Sequence, residues 1–338
     1  MLLQINYFKM TRVITSSFLL IFLLTSCQKD TNSDLSGINF REEMRTFVKE
    51  ISSFVRSQKN NFIIIPQNGQ ELLTVNGEAS GTPVISYINA ISGVGREELF
   101  YGYDNHDDQT TPGADSENWR QLCLGAKNNG LKVLTTDYCT TPSKIADSYQ
   151  RNNANGFISF AANHRELDNI PAGTPYLEST ADIITLNAAK NFLYIINTAA
   201  FTTKLQMLNA MKQTNYDVII IDAFFQEGGN NTGWTAAEIN QLKTKLNGGK
   251  RLVIAYMSIG EAEDYRYYWK TEWNNKRPDW LENLNPQWPG NYEVKYWNSE
   301  WKQIITGNSS SYSQKILDAA FDGLYLDIID GFEYWESK

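Results

Sequence analysis

Fold class is decided by segments such as Asp217-Val218-Ile219-Ile220-Ile221-Asp222, in which four β-branched residues stand between two acids. A short apolar run without polar alternation is typical of a strand that is buried on both faces. Seven further segments of this kind follow residue 40: residues 62–65, 91–100, 131–137, 156–161, 192–197, 251–258 and 323–329. Helical periodicity marks residues 40–56, and helices are also expected near residues 205–212 and 236–246.

Eight buried strands that alternate with helices predict an α/β fold, a single (β/α)8 TIM barrel over residues 40–338. A doubly wound open sheet is the alternative, although no Gly-rich phosphate loop opens any of these helices. The chain of 338 residues, of which 42% are hydrophobic, is long enough for one large core.

The charge balance and the histidine count exclude several function classes. The chain has 30 Lys and Arg against 38 Asp and Glu, which argues against a nucleic-acid partner because phosphate binding needs clustered cations. Only two histidines occur, His106 and His164, so a zinc site built on several histidines is excluded. We therefore expect no metal and no cofactor.

The amino terminus resembles an export signal. Lys9 and Arg12 precede an apolar run over residues 13–24, which ends in Leu24-Thr25-Ser26-Cys27, similar to a bacterial lipoprotein cleavage box. We expect residues 1–26 to be a signal peptide, Cys27 to carry the lipid, and residues 27–39 to form a tether. An ordinary secretory signal with a chance cysteine is the alternative.

The export signal also predicts a location. The polar residues after Cys27 resemble an export tag of some Gram-negative surface lipoproteins. We expect the protein to be lipid-anchored in the outer membrane, either periplasmic or surface-exposed. Cys123 and Cys139 would then meet an oxidising compartment, and the sequence leaves their pairing open.

Carboxylates dominate the ends of the predicted strands, where barrels carry their chemistry. Polar residues at or just after these ends are Asn68, Glu97, Glu98, Asp137, Asp222, Glu261, Glu263, Asp327 and Asp330. Glycosidic-bond cleavage requires two carboxyl groups, one as acid and one as nucleophile or base. Seven of the nine tryptophans lie between Trp269 and Trp335, where they would offer platforms for sugar rings or pack a long loop.

Three strings carry a family resemblance: YMSIGEAEDYR at residues 256–266, NPQWPGNY at 285–292 and DGLYLDIID at 322–330. Together they resemble glycoside hydrolase family 114, the endo-α-1,4-polygalactosaminidase-like barrels, and in particular its bacterial branch of mostly unassigned substrate. In that family the DGLYLD motif lies mid-chain and precedes a helix and a strand that ends in Pro-Gln-Asn-Gly. Here the motif nearly ends the chain, and IPQNG stands near the beginning, at residues 65–69.

The resemblance therefore implies a circular permutation, which a closed barrel tolerates because its natural ends lie close together. Residues 40–165 match the second half of the family, residues 190–338 match the first half, and residues 165–190 would be the new join. The order around the barrel would run from strand 192–197 through 217–222, 251–258, 323–329, 62–65, 91–100 and 131–137 to 156–161. Residues 331–338 should contact the helix at residues 40–56.

The resemblance also implies two catalytic residues, Asp327 and Glu97, with Glu98 in the second role if the register slips. The family pattern hints that Asp327 is the charged partner and Glu97 the acid. The alternatives are that Asp327 caps a helix or pairs with an arginine, and that Glu97 is an exposed loop residue. Substrate contacts are expected from Asn68, Asp137, Asp222, Tyr256, Glu261, Glu263, Arg266, Trp288 and Asp330, although residues 261–266 equally fit a salt-bridged loop.

The leading hypothesis is a glycoside hydrolase that cleaves an amino-sugar-containing polysaccharide or oligosaccharide, α-1,4-galactosaminide-like. A net negative protein would attract a partly deacetylated, cationic glycan. The second hypothesis is a non-catalytic carbohydrate-binding surface lipoprotein on the same scaffold. A third is another carboxylate-dependent barrel hydrolase whose activity requires a metal.

Overall fold

The computed structural model describes residues 35–227 and 230–338. The predicted signal peptide, the Cys27 lipidation site and most of the predicted tether lie outside the described residues. Among the residues that are described, no helix has both the length and the apolar character needed to cross a membrane.

The first half of the fold contains four helices and four strands. In chain order they are α1 (Phe40–Gln58), β1 (Ile63–Pro66), α2 (Ile85–Ile88), β2 (Gly93–Glu97), α3 (Gly113–Asn128), β3 (Lys132–Tyr138), α4 (Pro142–Asn155) and β4 (Ile158–Ala162).

The second half contains more strands. In chain order its elements are β5 (Phe192–Ile195), α5 (Lys204–Lys212), β6 (Val218–Asp222), β7 (Phe224–Glu227), β8 (Asn230–Gly233), α6 (Ala236–Leu242), β9 (Leu252–Ser258), β10 (Glu261–Glu263), β11 (Leu281–Leu284), β12 (Asn291–Val294), α7 (Ser299–Ile305), α8 (Tyr312–Asp318), β13 (Gly323–Asp327) and α9 (Gly331–Glu336). All eight predicted barrel strands are present, as β1 to β6, β9 and β13.

The strands form parallel sheets in the predicted order. A five-stranded sheet runs β5-β6-β9-β13-β1, and a three-stranded sheet runs β2-β3-β4. At the end of β1, a parallel bridge links Gln67 to Gly95 of β2, and the Asn68 N–H donates to the Gly95 carbonyl at 2.8 Å. Between β4 and β5, the rings of Phe160 and Phe192 lie 5.9 Å apart. The mixed α/β fold with parallel sheets is confirmed, while closure into a full barrel stays a prediction.

The side chains of the parallel strands form the core. Their continuous apolar runs predict this, because such strands are buried on both faces. Ile220, Ile254 and Leu324 are fully buried. The rings of Tyr194 and Tyr325 meet inside at a tilt of 57°, with centroids 5.2 Å apart. A Cβ on Gly95 would lie 2.1 Å from the Tyr325 hydroxyl, so only glycine lets β2 pass this tyrosine.

The predicted contact between the two chain ends is confirmed. Asn39 caps α1 by accepting from the Glu42 N–H. At the start of the helix, Arg41 binds Glu336 of α9 through two hydrogen bonds of 2.8 and 3.0 Å. The rings of Phe40 and Trp335 stack at 6.2 Å. Helices α1 and α9 therefore pack against each other. The circular permutation itself stays a prediction.

An antiparallel sheet of β10, β12 and β11 follows β9, and Trp269 and Trp335 contact its strand β12. Trp273, Trp280 and Trp301 form a chain of rings 5.1 Å apart, and Trp280 and Trp301 are fully buried. These three tryptophans pack the long loop region after β9, which is the structural alternative to a sugar-binding role. Cys123 and Cys139 are both buried and free.

Candidate active site

A cleft of about 630 Å³ opens at the carboxyl ends of the parallel strands. Residues at the ends of β1, β2, β3, β5, β6, β9 and β13 line it, together with the loop that follows β4. Every predicted site residue in the described chain lines this cleft except Asp137. The sequence order of the strands thus collects residues that lie more than 200 positions apart, such as Glu97 and Asp327.

Asp327 ends β13 in a half-buried position at the cleft. Its Oδ2 accepts a hydrogen bond of 2.6 Å from the Tyr256 hydroxyl. Burial, together with the nearby charge of Glu97, raises the pKa of Asp327 to about 8, although the Tyr256 hydroxyl and the Ile328 N–H act in the opposite direction. A raised pKa suits Asp327 to an acid role, whereas the family pattern hints at a charged one, so the role of each carboxyl group stays a prediction.

Glu97 ends β2, separated from β13 by β1. The Tyr138 hydroxyl donates to its Oε1. The Glu97 N–H donates to the Asn68 Oδ1 at 3.2 Å, so the end of β1 fixes the backbone of the next strand. Asn68, a predicted substrate contact, therefore also supports Glu97.

The backbone is left-handed immediately after three adjacent strands. Asn68 has φ 60°, Glu98 φ 56° and Ile328 φ 57°. For a β-branched residue such as Ile328 this conformation is strained, and such strain concentrates at functional sites. A Cβ on Gly260 would lie 2.2 Å from the Ile328 carbonyl oxygen, so glycine is required where β9 passes this turn.

Glu98 is held in an ion pair. Its Oε1 accepts from Arg165 Nη1 at 2.8 Å, and the same guanidinium binds Asp107 through Nε at 2.8 Å. Burial raises the pKa of Glu98, and Arg165 opposes that rise. Because a cation already neutralises Glu98, Glu97 has the more suitable surroundings for the catalytic role.

Asp222, Glu263 and Arg266 form a buried ion cluster at the ends of β6 and β10. Arg266 binds both carboxyl oxygens of Asp222 at 2.7 Å and reaches Glu263 Oε2 through Nε at 2.5 Å. The Arg266 side chain is only 1% exposed. The salt-bridged loop that the sequence allowed is therefore present, and its guanidinium is fully occupied by protein groups.

Three more of the predicted residues line the cleft: Glu261, Trp288 and Asp330. Glu261 is buried, and its carboxylate accepts from the side-chain amides of Asn285 and Asn291 at 2.7 and 2.9 Å. Burial, with the charge of Glu333, raises the pKa of Asp330 to about 7. Trp288 is 50% exposed and lines the cleft, so its ring is available for a ligand.

Asp137 is a correction to the sequence-based prediction, because its side chain is fully buried and faces away from the cleft. It accepts from the N–H groups of Phe100 and Tyr101, from the Ser148 hydroxyl and from the Asn152 amide. Asp137 thus ties β3 to α4 and to the loop after β2. Its role is structural.

Sequence reasoning missed several residues of the cleft. Tyr138 is the neighbour of Asp137 in sequence, and period-two alternation along β3 would have placed one of the two inside. Tyr194 and Gln67 are joined by a hydrogen bond of 2.8 Å from the tyrosine hydroxyl. Arg165 stood at the boundary of the expected join, where no strand end pointed to it.

The cleft is strongly acidic. Eight carboxylates line it against three arginines. Arg165 and Arg266 are paired with carboxylates, and the Arg96 guanidinium lies 3.6 Å from the ring centre of Trp119. Within the described ranges, no group of three or more His, Cys, Asp or Glu side chains has the arrangement of a metal site. The site therefore offers carboxyl chemistry in a negative field.

Comparison with known proteins agrees with the motifs. The family model of glycoside hydrolase family GH114 matches residues 178–338. The match confirms the predicted resemblance to this family over these residues.

Three curated relatives match part of the chain, and each is described as an uncharacterized protein. MJ1477 of Methanocaldococcus jannaschii is 45% identical over 143 residues, which are 41% of this chain and 39% of that protein. A protein of Thermotoga maritima is 41% identical over 38% of this chain and 37% of its own length. One of Deinococcus radiodurans is 35% identical over 39% of each chain. The match thus spans about two fifths of the length of each relative.

Proposed function

We propose that this protein, whose residues 178–338 match glycoside hydrolase family 114, hydrolyses a glycosidic bond of an amino-sugar-containing glycan with Asp327 and Glu97. The observation that carries the proposal is the pair itself. Two carboxyl groups end strands separated by one strand, in one cleft, and the charge of Glu97 helps to keep Asp327 protonated. Paired carboxyl groups of unequal protonation are what glycoside hydrolysis requires.

In this mechanism Asp327 donates its proton to the glycosidic oxygen as the C–O bond breaks. The Glu97 carboxylate meets the positive charge that develops at the anomeric carbon. Glu97 then either bonds to that carbon until water displaces it or takes a proton from the attacking water. In both routes one water molecule is consumed, and the first-formed anomer, read by NMR, distinguishes them.

The acidic cleft supports the substrate class. The Glu261 carboxylate, which accepts hydrogen bonds from the amides of Asn285 and Asn291 and not from an arginine, faces the same space as the pair. Ammonium groups of a partly deacetylated glycan would be favourable there, whereas an anionic glycan would be repelled.

Strand order supports a closed, circularly permuted barrel as the scaffold of this site. The contacts of β1 with β2 and of α1 with α9 are those a rotated ring requires. A collinear comparison of a rotated chain aligns only one half, which fits matches that cover about 40% of each relative.

The test is an assay on a panel of α-1,4-linked galactosaminans of graded acetylation, with chitosan and a neutral glucan as controls. We expect new reducing ends from the wild type on deacetylated polymers and none from Asp327→Asn. Binding without hydrolysis would contradict the proposal and favour the carbohydrate-binding lipoprotein. Activity that chelation removes and a divalent cation restores would favour a metal-dependent hydrolase.

The location rests on the sequence alone. We propose that Cys27 is lipidated after cleavage of residues 1–26 and anchors the protein in the outer membrane of a Gram-negative cell. Labelling with an alkyne fatty acid should mark the wild type and leave Cys27→Ala unmarked. Equal labelling of both would contradict the anchor.

A further inference from the structure

Each candidate catalytic carboxylate is bound by a tyrosine from the next strand. The Tyr256 hydroxyl of β9 donates to Asp327, and the Tyr138 hydroxyl at the end of β3 donates to Glu97. We propose that Tyr138 and Tyr256 are positioning residues that fix the orientation and the proton distribution of this pair, an inference that rests on the proposed function.

The strand register explains why the hydroxyls reach the carboxylates. Asp327 pairs with Ser258, so Tyr256 lies two residues earlier in β9 on the same face of the sheet. Glu97 pairs with Thr136, so Tyr138 lies two residues later in β3, again on the same face. Residues two apart share a face, and diagonal neighbours are within reach of a long aromatic side chain.

Tyr138 is held rigidly. It is 5% exposed, and the Arg165 guanidinium lies 4.1 Å from its ring centre. Arg165 is in turn fixed by Glu98 and by the Gly102 carbonyl at 2.7 Å. Gly102 has φ 111°, and a Cβ there would lie 3.0 Å from Tyr138 Cβ, so the backbone closes the remaining side. The hydroxyl therefore has little freedom to leave Glu97.

Tyr256 is equally constrained. It is 7% exposed, and its hydroxyl lies 2.6 Å from Asp327 Oδ2. Burial, with the charge of Asp327, raises the pKa of Tyr256 well above its ordinary value, so the phenol stays protonated and acts as a donor. A donor to a carboxylate favours the charged form of that carboxylate.

The same groups face the pair whether or not either hydroxyl is present. The carboxylates are Glu98, Glu263 and Asp330, the other phenols are Tyr194 and Tyr325, and the cations are Arg96 and Arg165. A Tyr→Phe substitution removes one hydrogen bond and keeps the ring. Its effect on proton distribution is therefore assignable to that bond.

The experiment compares the pH profile of kcat/KM in wild type, Tyr138→Phe, Tyr256→Phe and Tyr149→Phe. The control, Tyr149, stacks on Tyr176 at 4.7 Å outside the cleft. We expect Tyr138→Phe to move the acid limb, set by Glu97, to higher pH and Tyr256→Phe to move the basic limb, set by Asp327, to higher pH. Each shift should be roughly one pH unit, with kcat lowered about tenfold and KM nearly unchanged.

A second measurement does not need activity. Carbon-13 NMR of labelled carboxyl groups, assigned through Glu97→Gln and Asp327→Asn, follows the titration of both residues in each variant. We expect the Glu97 midpoint to rise in Tyr138→Phe and the Asp327 midpoint to rise in Tyr256→Phe. A wild type that cleaves no glycan would end the proposed function, whereas the NMR titration would still decide this inference.

Unchanged limbs and unchanged carboxyl titrations in both variants would overturn the positioning role. Shifts equal to those of Tyr149→Phe would do the same, because the loss of a tyrosine hydroxyl outside the cleft would then have that effect. If Tyr138→Phe does not fold, the shift of the basic limb of the pH profile in Tyr256→Phe decides whether the positioning role is correct.

Discussion

Two pairs of carboxylates stand at strand ends of the same cleft in opposite electrostatic surroundings. Asp222 and Glu263 share the buried guanidinium of Arg266. Asp327 and Glu97 instead receive tyrosine hydroxyls, which are neutral donors. The first pair is neutralised and fixes the rim. Burial raises the pKa of both Asp222 and Asp327, but Arg266 opposes the rise at Asp222, whereas the charge of Glu97 adds to the rise at Asp327. All four residues are carboxylic acids. The pair that binds a cation has a structural role, and the pair without one is the candidate for catalysis.

The largest effect should come from Glu97→Gln, with Glu98→Gln as its matched comparison. We expect Glu97→Gln to lower kcat at least a thousandfold, or about 4 kcal/mol, because it removes the reacting carboxylate. Glu98→Gln should lower it less than about tenfold, since this residue is neutralised by Arg165. Initial rates on the best glycan of the panel measure both. The reverse ranking would assign the catalytic role to Glu98.

Removal of the cation between Asp222 and Glu263 should lower the stability of the protein. Arg266→Met leaves Asp222 and Glu263 buried without a counter-charge, and we expect the free energy of unfolding to fall by about 3–5 kcal/mol. Urea unfolding followed by circular dichroism measures the loss. The control is Lys276→Met, at an exposed cation of the same loop. Equal stability of the two variants would show that the cluster is not structural.

A smaller effect on binding is expected at the lip of the cleft. Trp288→Ala should raise KM roughly tenfold with little change in kcat, because it removes a stacking platform that both the ground state and the transition state use. Leu284→Ala, at an exposed residue that does not line the cleft, is the control. A loss confined to kcat would instead place Trp288 nearer to the chemistry.

The smallest effect concerns stability against pH. The pKa of Asp327 is raised from 3.8 to about 8, so the folded state binds more protons than the unfolded state in this window. The free energy of unfolding therefore falls as pH rises through it. Asp327→Asn cannot ionise, so its Tm relative to wild type should rise between pH 5 and pH 8, by roughly 2 °C for each kcal/mol that the wild type loses.

Thermal melts of wild type, Asp327→Asn and Asp279→Asn at pH 5, 6, 7 and 8 test this prediction. Asp279 is exposed and serves as the matched control. A Tm difference that stays constant with pH would mean that Asp327 is not held protonated in the folded protein.

The strands were predictable because burial on both faces leaves a continuous apolar run, as in β6 and β9. The strand order within each sheet also followed from the sequence, through the displaced motifs. It was harder to predict which side chains at the strand ends face the cleft. Asp137 was placed in the cleft for its chemistry, whereas the alternation along β3 turns it towards α4 and brings Tyr138 inside.

The sequence by itself determined the strand segments, the acidic character of the strand ends and the family motifs, because these depend on local patterns of residue type. The tertiary structure alone decided which carboxylates are neutralised and which are not. Arg266, Tyr138 and Tyr256 act across strands that are distant in the chain. Proton distribution depends on burial and on charges a few ångströms away, and these distances exist only once the chain is folded.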